Sequence, residues 1–463
     1  MRIARIIWLA TLAAISGVSA LAQSGVVAPV VGFTGTNGSA PFAPLTLGAD
    51  GDLYGTTTSG GPGGYGTIFE VDSNNVPHLR AVFEGTNGSD PVGQLLLATN
   101  GNFYGVTYQG GASGFGTIYE FTTNNQLISL YSFDGTNGSM PWAGLMQASN
   151  GNFYGTASAG GIGFFDGVGG SGTLFVMTPA GVFSNLYFFT GGNDGLTPYG
   201  KLVQGTNGNL YGTTDSGGPG GNGVVFEWAL DPGFSVRYAF WGTNGSAPIA
   251  GLTVGGSYLW GTTTQGGPYN AGVLFALDYS GGFTVLHYFT EIGSDGALPY
   301  GQLLLRGRDY YGTTYLGGLY GRGTIYKVSL PTNSIPCYVP LVSFRGLNDG
   351  GYPESGLTLN RLGNFYGTTT YSSPGNGTVF EYVGLPRLGG STVSGNTFNF
   401  NAWDVQPGLV YQPLWSPTLS APTWPAFGPS FTATTNKYSF SSGIHPGAEY
   451  YRLQATLPVK LSF

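Results

Sequence analysis

A tetrapeptide, in most copies Tyr-Gly-Thr-Thr, recurs seven times along this chain of 463 residues. The copies begin at Tyr54, Tyr104, Tyr154, Tyr211, Trp260, Tyr311 and Tyr366, in steps of 50, 50, 57, 49, 51 and 55 residues. A repeat of roughly 40–50 residues built from short strands points to propeller blades, because one blade cannot bury both faces alone. A typical copy has companions, Phe-x-Gly-Thr-Asn-Gly-Ser-x-Pro or a variant of it before, then a Gly-Gly loop and a segment like Gly-Thr-Ile-Phe-Glu after. Four strands fit each unit, in the first at residues 44–47, 53–57, 67–71 and 79–83, each bounded by Gly, Asn, Asp or Pro. The fourth-strand phenylalanines are Phe33, Phe83, Phe133, Phe189, Phe240, Phe289 and Phe344, so one precedes the first unit and the last unit lacks its own. Residues 26–33 are therefore expected to pair with the strand around 378–381, closing a ring that leaves no open sheet edge.

The turns divide into two sets. Asp50-Gly51, Asn100-Gly101, Asn150-Gly151 and Asn207-Gly208 suit tight primed turns between the first two strands. The longer connections, the Gly-Thr-Asn-Gly-Ser-x-Pro loop and the Gly-Gly loop, should crowd the opposite face, where function is more often carried.

Composition decides what such a ring could meet. The 84 glycines keep register with the repeat and aromatics make up 15% of the chain, so there is apolar surface to bury and disorder is excluded. Charged residues are only 8% and the net charge is -7, which removes nucleic acid as a partner and favours uncharged ones. Residues 1–22 have the pattern of a secretory signal, with Arg2 and Arg5, an apolar core and Ala20-Leu21-Ala22 before Gln23. No later stretch is apolar for the length of a membrane span. The expected location is extracellular or cell-surface. Cys337 is the single cysteine; lying between Pro336 and Pro340, it reads as a spacer residue in a connection, with no disulfide framework around it.

The expected fold is thus all-β: a seven-bladed propeller over 23–384, a linker at 385–390, and a small Ig-like β-sandwich over 391–463 with Trp403, Trp415 and Trp424 as core mass. The linked Tyr-Gly-Thr-Thr, Gly-Gly and Gly-Thr-Ile-Phe-Glu motifs resemble the GloVer repeat family, choice-of-anchor proteins of exported bacterial type. The resemblance covers about residues 31–384. It implies export and a propeller-like domain and brings no catalytic residues with it. Residues 449–453 are similar to the closing strand of small sandwich domains at the ends of such proteins, whereas 458–463 carry no apolar anchor helix.

No motif supplies a catalytic set or implies a cofactor. Glu70, Glu120, Glu227 and Glu381 repeat around a ring rather than meeting in one pocket, and read as strand residues bonded to backbone or threonine. Asp194, Asp295 and Asp349 sit in Asp-Gly turns without the acidic array that calcium needs. His78, His287 and His445 lack zinc spacing. Asn37, Asn87, Asn137 and Asn244 match the N-glycosylation triplet but are explained as turn residues. What remains is aromatic: Trp142 and Trp241 near the strand-four exits, and Tyr315 and Tyr320 in a Gly-Gly loop, with Arg322 an odd charge beside them. The third unit is interrupted by Phe164-Phe165-Asp166, and insertions in repeats commonly map to the binding face. The reading is a secreted, non-enzymatic protein that contacts a glycan or another exported protein. The alternatives are a carbohydrate-active hydrolase or lyase using Asp166, Asp215 or Glu354 at the tunnel mouth, and a structural envelope component.

Overall fold

The computed structural model describes residues 25–165, 168–229, 233–329, 336–346, 349–372 and 375–384, together with the backbone of six strands between 387 and 456. The leader at 1–22, Asp166 and the side chains of Trp403, Trp415 and Trp424 lie outside the described residues. Among the described residues there is no helix, and none long and apolar enough to cross a membrane. The fold is all-β, a seven-bladed propeller of four-stranded antiparallel blades.

Blade one runs Thr46–Leu47, Leu53–Thr57, Thr67–Val71 and Pro77–Val82, its strands lying in that order from the axis outward. Second and third strands pair residue for residue, Tyr54 opposite Glu70 and Gly55 opposite Phe69. The seventh sheet consists of Thr358–Leu359, Phe365–Thr369, Thr378–Gly384 and Gly25–Gly32, in that order. Cys337 is the first residue of the outer strand of blade six, Cys337–Ser343, and is exposed; it belongs to a blade, not to a connection. The proline content of its surroundings had obscured a strand whose partner, Ser329, is contributed from the third strand.

Each letter of the tetrapeptide has a separate physical task. In blades two and four its tyrosine hydroxyl donates to the third-strand glutamate, Tyr104 to Glu120 at 2.7 Å and Tyr211 to Glu227 at 2.6 Å, and accepts from the turn asparagine, Asn100 or Asn207. Glu120 and Glu227 are thus held by tyrosine, and Glu70 and Glu227 by Arg80 and Arg237. The first threonine ties its blade to the next: Thr156, Thr213, Thr262, Thr313 and Thr368 donate to the carbonyls of Pro198, Ala250, Pro299, Ser355 and Ala43. The second threonine stays in its own blade, as Thr57 does by bonding Thr67 at 2.8 Å.

The glycine is there for close approach. A Cβ on Gly212 would meet Phe226 Cζ at 2.4 Å, and Gly55, Gly155, Gly261 and Gly367 stand equally close to Phe69, Phe175, Phe275 and Phe380. Each third-strand ring lies over this glycine and is met edge-on by the fourth-strand phenylalanine of the preceding blade. Phe33–Phe69, Phe83–Tyr119, Phe189–Phe226 and Phe344–Phe380 have ring centroids 5.0–5.3 Å apart. One residue type per strand thus builds both the blade and its junction. Gly212→Ala is expected to cost about 1–3 kcal/mol by overpacking. Gly208→Ala, at φ +85° with open space around it, should cost only about 1 kcal/mol of local strain. Urea denaturation of the two variants separates these; equal losses would refute the close-packing account.

Beyond the propeller, Arg387–Ser394, Thr397–Trp403 and Lys437–Gly443 form one three-stranded antiparallel sheet, and Phe431–Thr432, Val410–Ser416 and Tyr450–Thr456 a second. The first of these strands takes up residues 387–390 of the expected linker.

Candidate functional site

In every blade the long connection from the preceding fourth strand ends in Pro-x-(Gly/Ala/Ser)-x-Leu and delivers the chain to the innermost strand. It is bridged to the Gly-Gly loop of its own blade, Ser39 to Ser59, Ser89 to Gln109, Leu196 to Ser216 and Gly351 to Tyr371, so both long loops share one face. The residue before each proline adopts a left-handed conformation without being glycine: Ala40, Asp90, Met140, Thr197, Ala247, Leu298 and Tyr352 have φ between 54° and 60°. Each donates its N–H to a carbonyl of the preceding Gly-Gly loop, Asp90 to Tyr65 and Tyr352 to Arg322 for example. A conformation repeated seven times at such cost is held by its surroundings, and here it aims the residue after proline at the axis.

Those residues after proline, Phe42, Val92, Trp142, Tyr199, Ile249, Tyr300 and Glu354, ring the mouth of the central channel. With Tyr315 above and the fourth motif position below, they enclose a cavity of about 400 Å³. Trp142 is the hub of one wall, with ring centroids 5.2 Å from Phe42, 5.4 Å from Tyr108 and 5.1 Å from Tyr199. The other wall runs Tyr300, Tyr315, Tyr352 and Tyr371 in contacts of 5.1–5.9 Å, and Arg322 lies 5.5 Å over both of the last two rings. A ligand entering here meets aromatic faces and edges on both sides.

Three carboxyls flank the mouth, each held protonated more strongly than usual by burial. Asp90 is pushed up to about 6, Asp215 is raised, and Glu354 is pushed up to about 7 with only a weak opposing bond from Thr370 Oγ1 at 3.2 Å. Folded Glu354 thus resists ionisation that the unfolded chain undergoes freely. Its cost is absent below the unfolded value of about 4.5, grows as pH rises, and is complete above the folded value, where the shift amounts to about 3 kcal/mol. Glu354→Gln should accordingly stabilise the protein against urea at pH 8 and leave it unchanged at pH 4; a gain of equal size at both would contradict the assignment.

The residues expected from sequence separate in space. Trp142 and Tyr315 stand in the channel mouth, and Arg322 joins it through Tyr352. Trp241 and Tyr320 are exposed, the former lying against Gly220 of its own Gly-Gly loop. Phe165 is 82% exposed, while Phe164 is turned inward, 5.2 Å from Phe115 and against Gly135. Phe42, Tyr199, Tyr300 and Lys201 were not anticipated. Their signal was the second and fourth positions of the Pro-x-(Gly/Ala/Ser)-x-Leu register, which vary while the flanking letters hold.

The turn carboxyls do local work. Asp194 accepts from Thr190 N and Tyr187, and Asp295 from Thr290 and His287, taking the place that Asn37 and Asn87 fill elsewhere by accepting from Thr34 N and Glu84 N. Among the described residues one acidic group has ligand spacing for a cation: Asp50, Asp52 and Glu70, with oxygens within 4.8 Å. Arg80 already engages Glu70 through bonds of 2.7 and 2.9 Å, and Tyr54 donates to Asp50.

A family model described as the Gloeobacter/Verrucomicrobia repeat matches residues 18–164 and 205–406, well over half of the chain. No curated protein matches it. Among solved structures, a putative 6-phosphogluconolactonase from Bacteroides uniformis is 13% identical, with 85% of this chain and all of that one aligned at a TM-score of 0.47. A second, from Bacteroides fragilis, is also 13% identical, with 88% and 98% covered at 0.46. A polysaccharide lyase titled an ulvan lyase of family PL25 is 9% identical, with 68% and 80% covered at 0.38. At these identities and scores the likeness carries no argument.

Proposed function

The chain belongs to the Gloeobacter/Verrucomicrobia repeat family, and we propose that it is an exported, non-catalytic binding propeller whose channel mouth holds part of a glycan. The observation that carries this reading is the cavity of about 400 Å³ walled by Phe42, Trp142, Tyr199, Tyr300 and Tyr315. Its volume falls within the roughly 300–1,000 Å³ range of small-ligand pockets and favours a few sugar units over a protein surface. Aromatic walls beside hydroxyl and amide groups suit the apolar faces and ring hydroxyls of sugars. Export is supported by the leader pattern at residues 1–22.

In this reading the N-terminal strand Gly25–Gly32 acts as the clasp of the ring, and the strands between 387 and 456 build a small β-sandwich. A second reading, a carbohydrate-active hydrolase or lyase, draws on Glu354, since a carboxyl that titrates near 7 is suited to acid–base work at neutral pH. One screen tests both. Mature protein is incubated with plant, algal and bacterial polysaccharides, and retention on the polymer and release of new reducing ends are measured together. Retention without new ends supports binding; new ends abolished by Glu354→Gln favour the enzyme; neither one, over a broad panel, removes the glycan reading.

A further inference from the structure

The floor of the cavity is set by the fourth position of the Pro-x-(Gly/Ala/Ser)-x-Leu register. Four blades place glycine or proline there, Pro44, Gly144, Gly251 and Gly356; two place glutamine, Gln94 and Gln302; blade four alone places a cation, Lys201. Lys201 reaches from blade four to blade two, where its Nζ donates to Gln94 Oε1 at 2.9 Å. That is a neutral partner. Among the described residues no carboxylate lies within ion-pair distance of this ammonium, although Glu354 lines the same cavity. The two glutamines each spend one of two amide N–H bonds on a carbonyl, Gln94 Nε2 on Leu45 O and Gln302 Nε2 on Leu252 O, and neither carries charge. An ammonium has three N–H bonds, of which Gln94 takes one, so Lys201 is the charged floor group and keeps two donors to spare.

We infer that this floor is an anion site: the sugar held in the mouth carries a single negative charge, a uronate carboxylate or a sulfate ester, which pairs with Lys201. The inference rests on the glycan reading above and names its substrate class. A half-buried charge without a counter-ion is unfavourable, and here desolvation brings Lys201 down to about 8. A ligand anion would supply the missing partner in the place where a charge-assisted bond is strongest. It would also fix polarity, with the acidic group down at Lys201 and the hydroxyl-bearing end up among Tyr300, Tyr315 and Glu354.

Titration calorimetry at pH 6.5 with an oligogalacturonate, a sulfated oligogalactan and the matched neutral oligogalactan tests this on the whole protein. An acidic oligomer is expected to bind about tenfold or more tighter than the neutral one, a gain of the size that charged hydrogen bonds provide. Lys201→Gln, which keeps a polar side chain facing Gln94, and Lys201→Met should both bring the ratio of acidic to neutral affinity down to about one. Which acidic oligomer wins decides between carboxylate and sulfate. Equal binding of acidic and neutral oligomers, or a preference that survives both substitutions, overturns the inference and leaves the glycan reading standing. Binding of none of them overturns the inference, and the glycan reading falls with it where the broad polysaccharide panel also shows no retention. A lowered melting temperature in both variants would make Lys201 a strut for Gln94 and would also overturn it.

Discussion

Alanine at position 142 is expected to weaken glycan binding by about 30-fold or more while the propeller stays folded. Trp142 is in ring contact with three others, Phe42, Tyr108 and Tyr199, so its removal opens one whole wall of the cavity. Buried aromatic anchors at the centre of a binding site typically cost about 2 kcal/mol or more when truncated, and each 1.4 kcal/mol is a factor of ten. Stability should change far less, because the blade cores are made of other residues: the cluster around Phe133, Leu145, Phe153 and Phe175 closes without Trp142. Trp142→Phe, which retains a ring, should recover part of the affinity. Trp241→Ala is the informative comparison. That side chain is 58% exposed on its own loop, and its loss should leave affinity unchanged. If Trp241→Ala weakens binding and Trp142→Ala does not, the ligand sits on the outer loops and the channel mouth is not the site.

The contrast between these two tryptophans marks where sequence reading runs out. Both lie near the exit of a fourth strand, both interrupt a polar loop, and the periodic pattern treats them alike. Trp142 follows a proline whose preceding residue is forced left-handed, and so points to the axis; Trp241 comes earlier in its loop and points out. Repetition reveals which letters every blade shares, and it therefore gave the strands, the seven copies and the face that carries the long loops. Convergence is another matter. Phe42 and Trp142 are a hundred residues apart and meet only because the ring brings blade one and blade three to a common axis. The insertion at Phe164 looked like a binding element for the same reason in reverse: its departure from the repeat is visible in the chain, whereas the Phe115 ring and the bare surface of Gly135 that receive it are not. The partner of Glu120 and of Glu227 was expected to be threonine or backbone. Tyrosine reaches them instead because strands two and three pair in register, with Tyr211 opposite Glu227.

Removing residues 25–33 should cost most of the stability of the propeller. Three buried side chains leave with that segment, Val27, Val31 and Phe33, the last two only 3% and 1% exposed. At roughly 1.5–3 kcal/mol for each large apolar side chain returned to water, the transfer loss alone is of the order of 5–8 kcal/mol. Folded domains have only about 5–15 kcal/mol in total. Further losses compound it. Phe33 is the ring that meets Phe69 at 5.0 Å, so the junction from blade seven to blade one goes with it. Thr378 Oγ1 loses its acceptor at Val31, Gly377 O loses the Phe33 N–H at 3.2 Å, and strand Thr378–Gly384 becomes an open edge ready to pair with other chains. The truncated protein is expected to unfold at much lower urea concentration and to elute as aggregates on size exclusion. Because a failed preparation would be uninformative, rescue is the decisive readout. A synthetic peptide of residues 25–34 added during refolding should restore a monomeric, cooperatively unfolding species, and the same peptide with aspartate at positions 31 and 33 should not. Val31→Asp in the full chain should weaken it in the same direction. A truncated protein as stable and monomeric as the parent would mean that the seventh blade closes without its N-terminal strand.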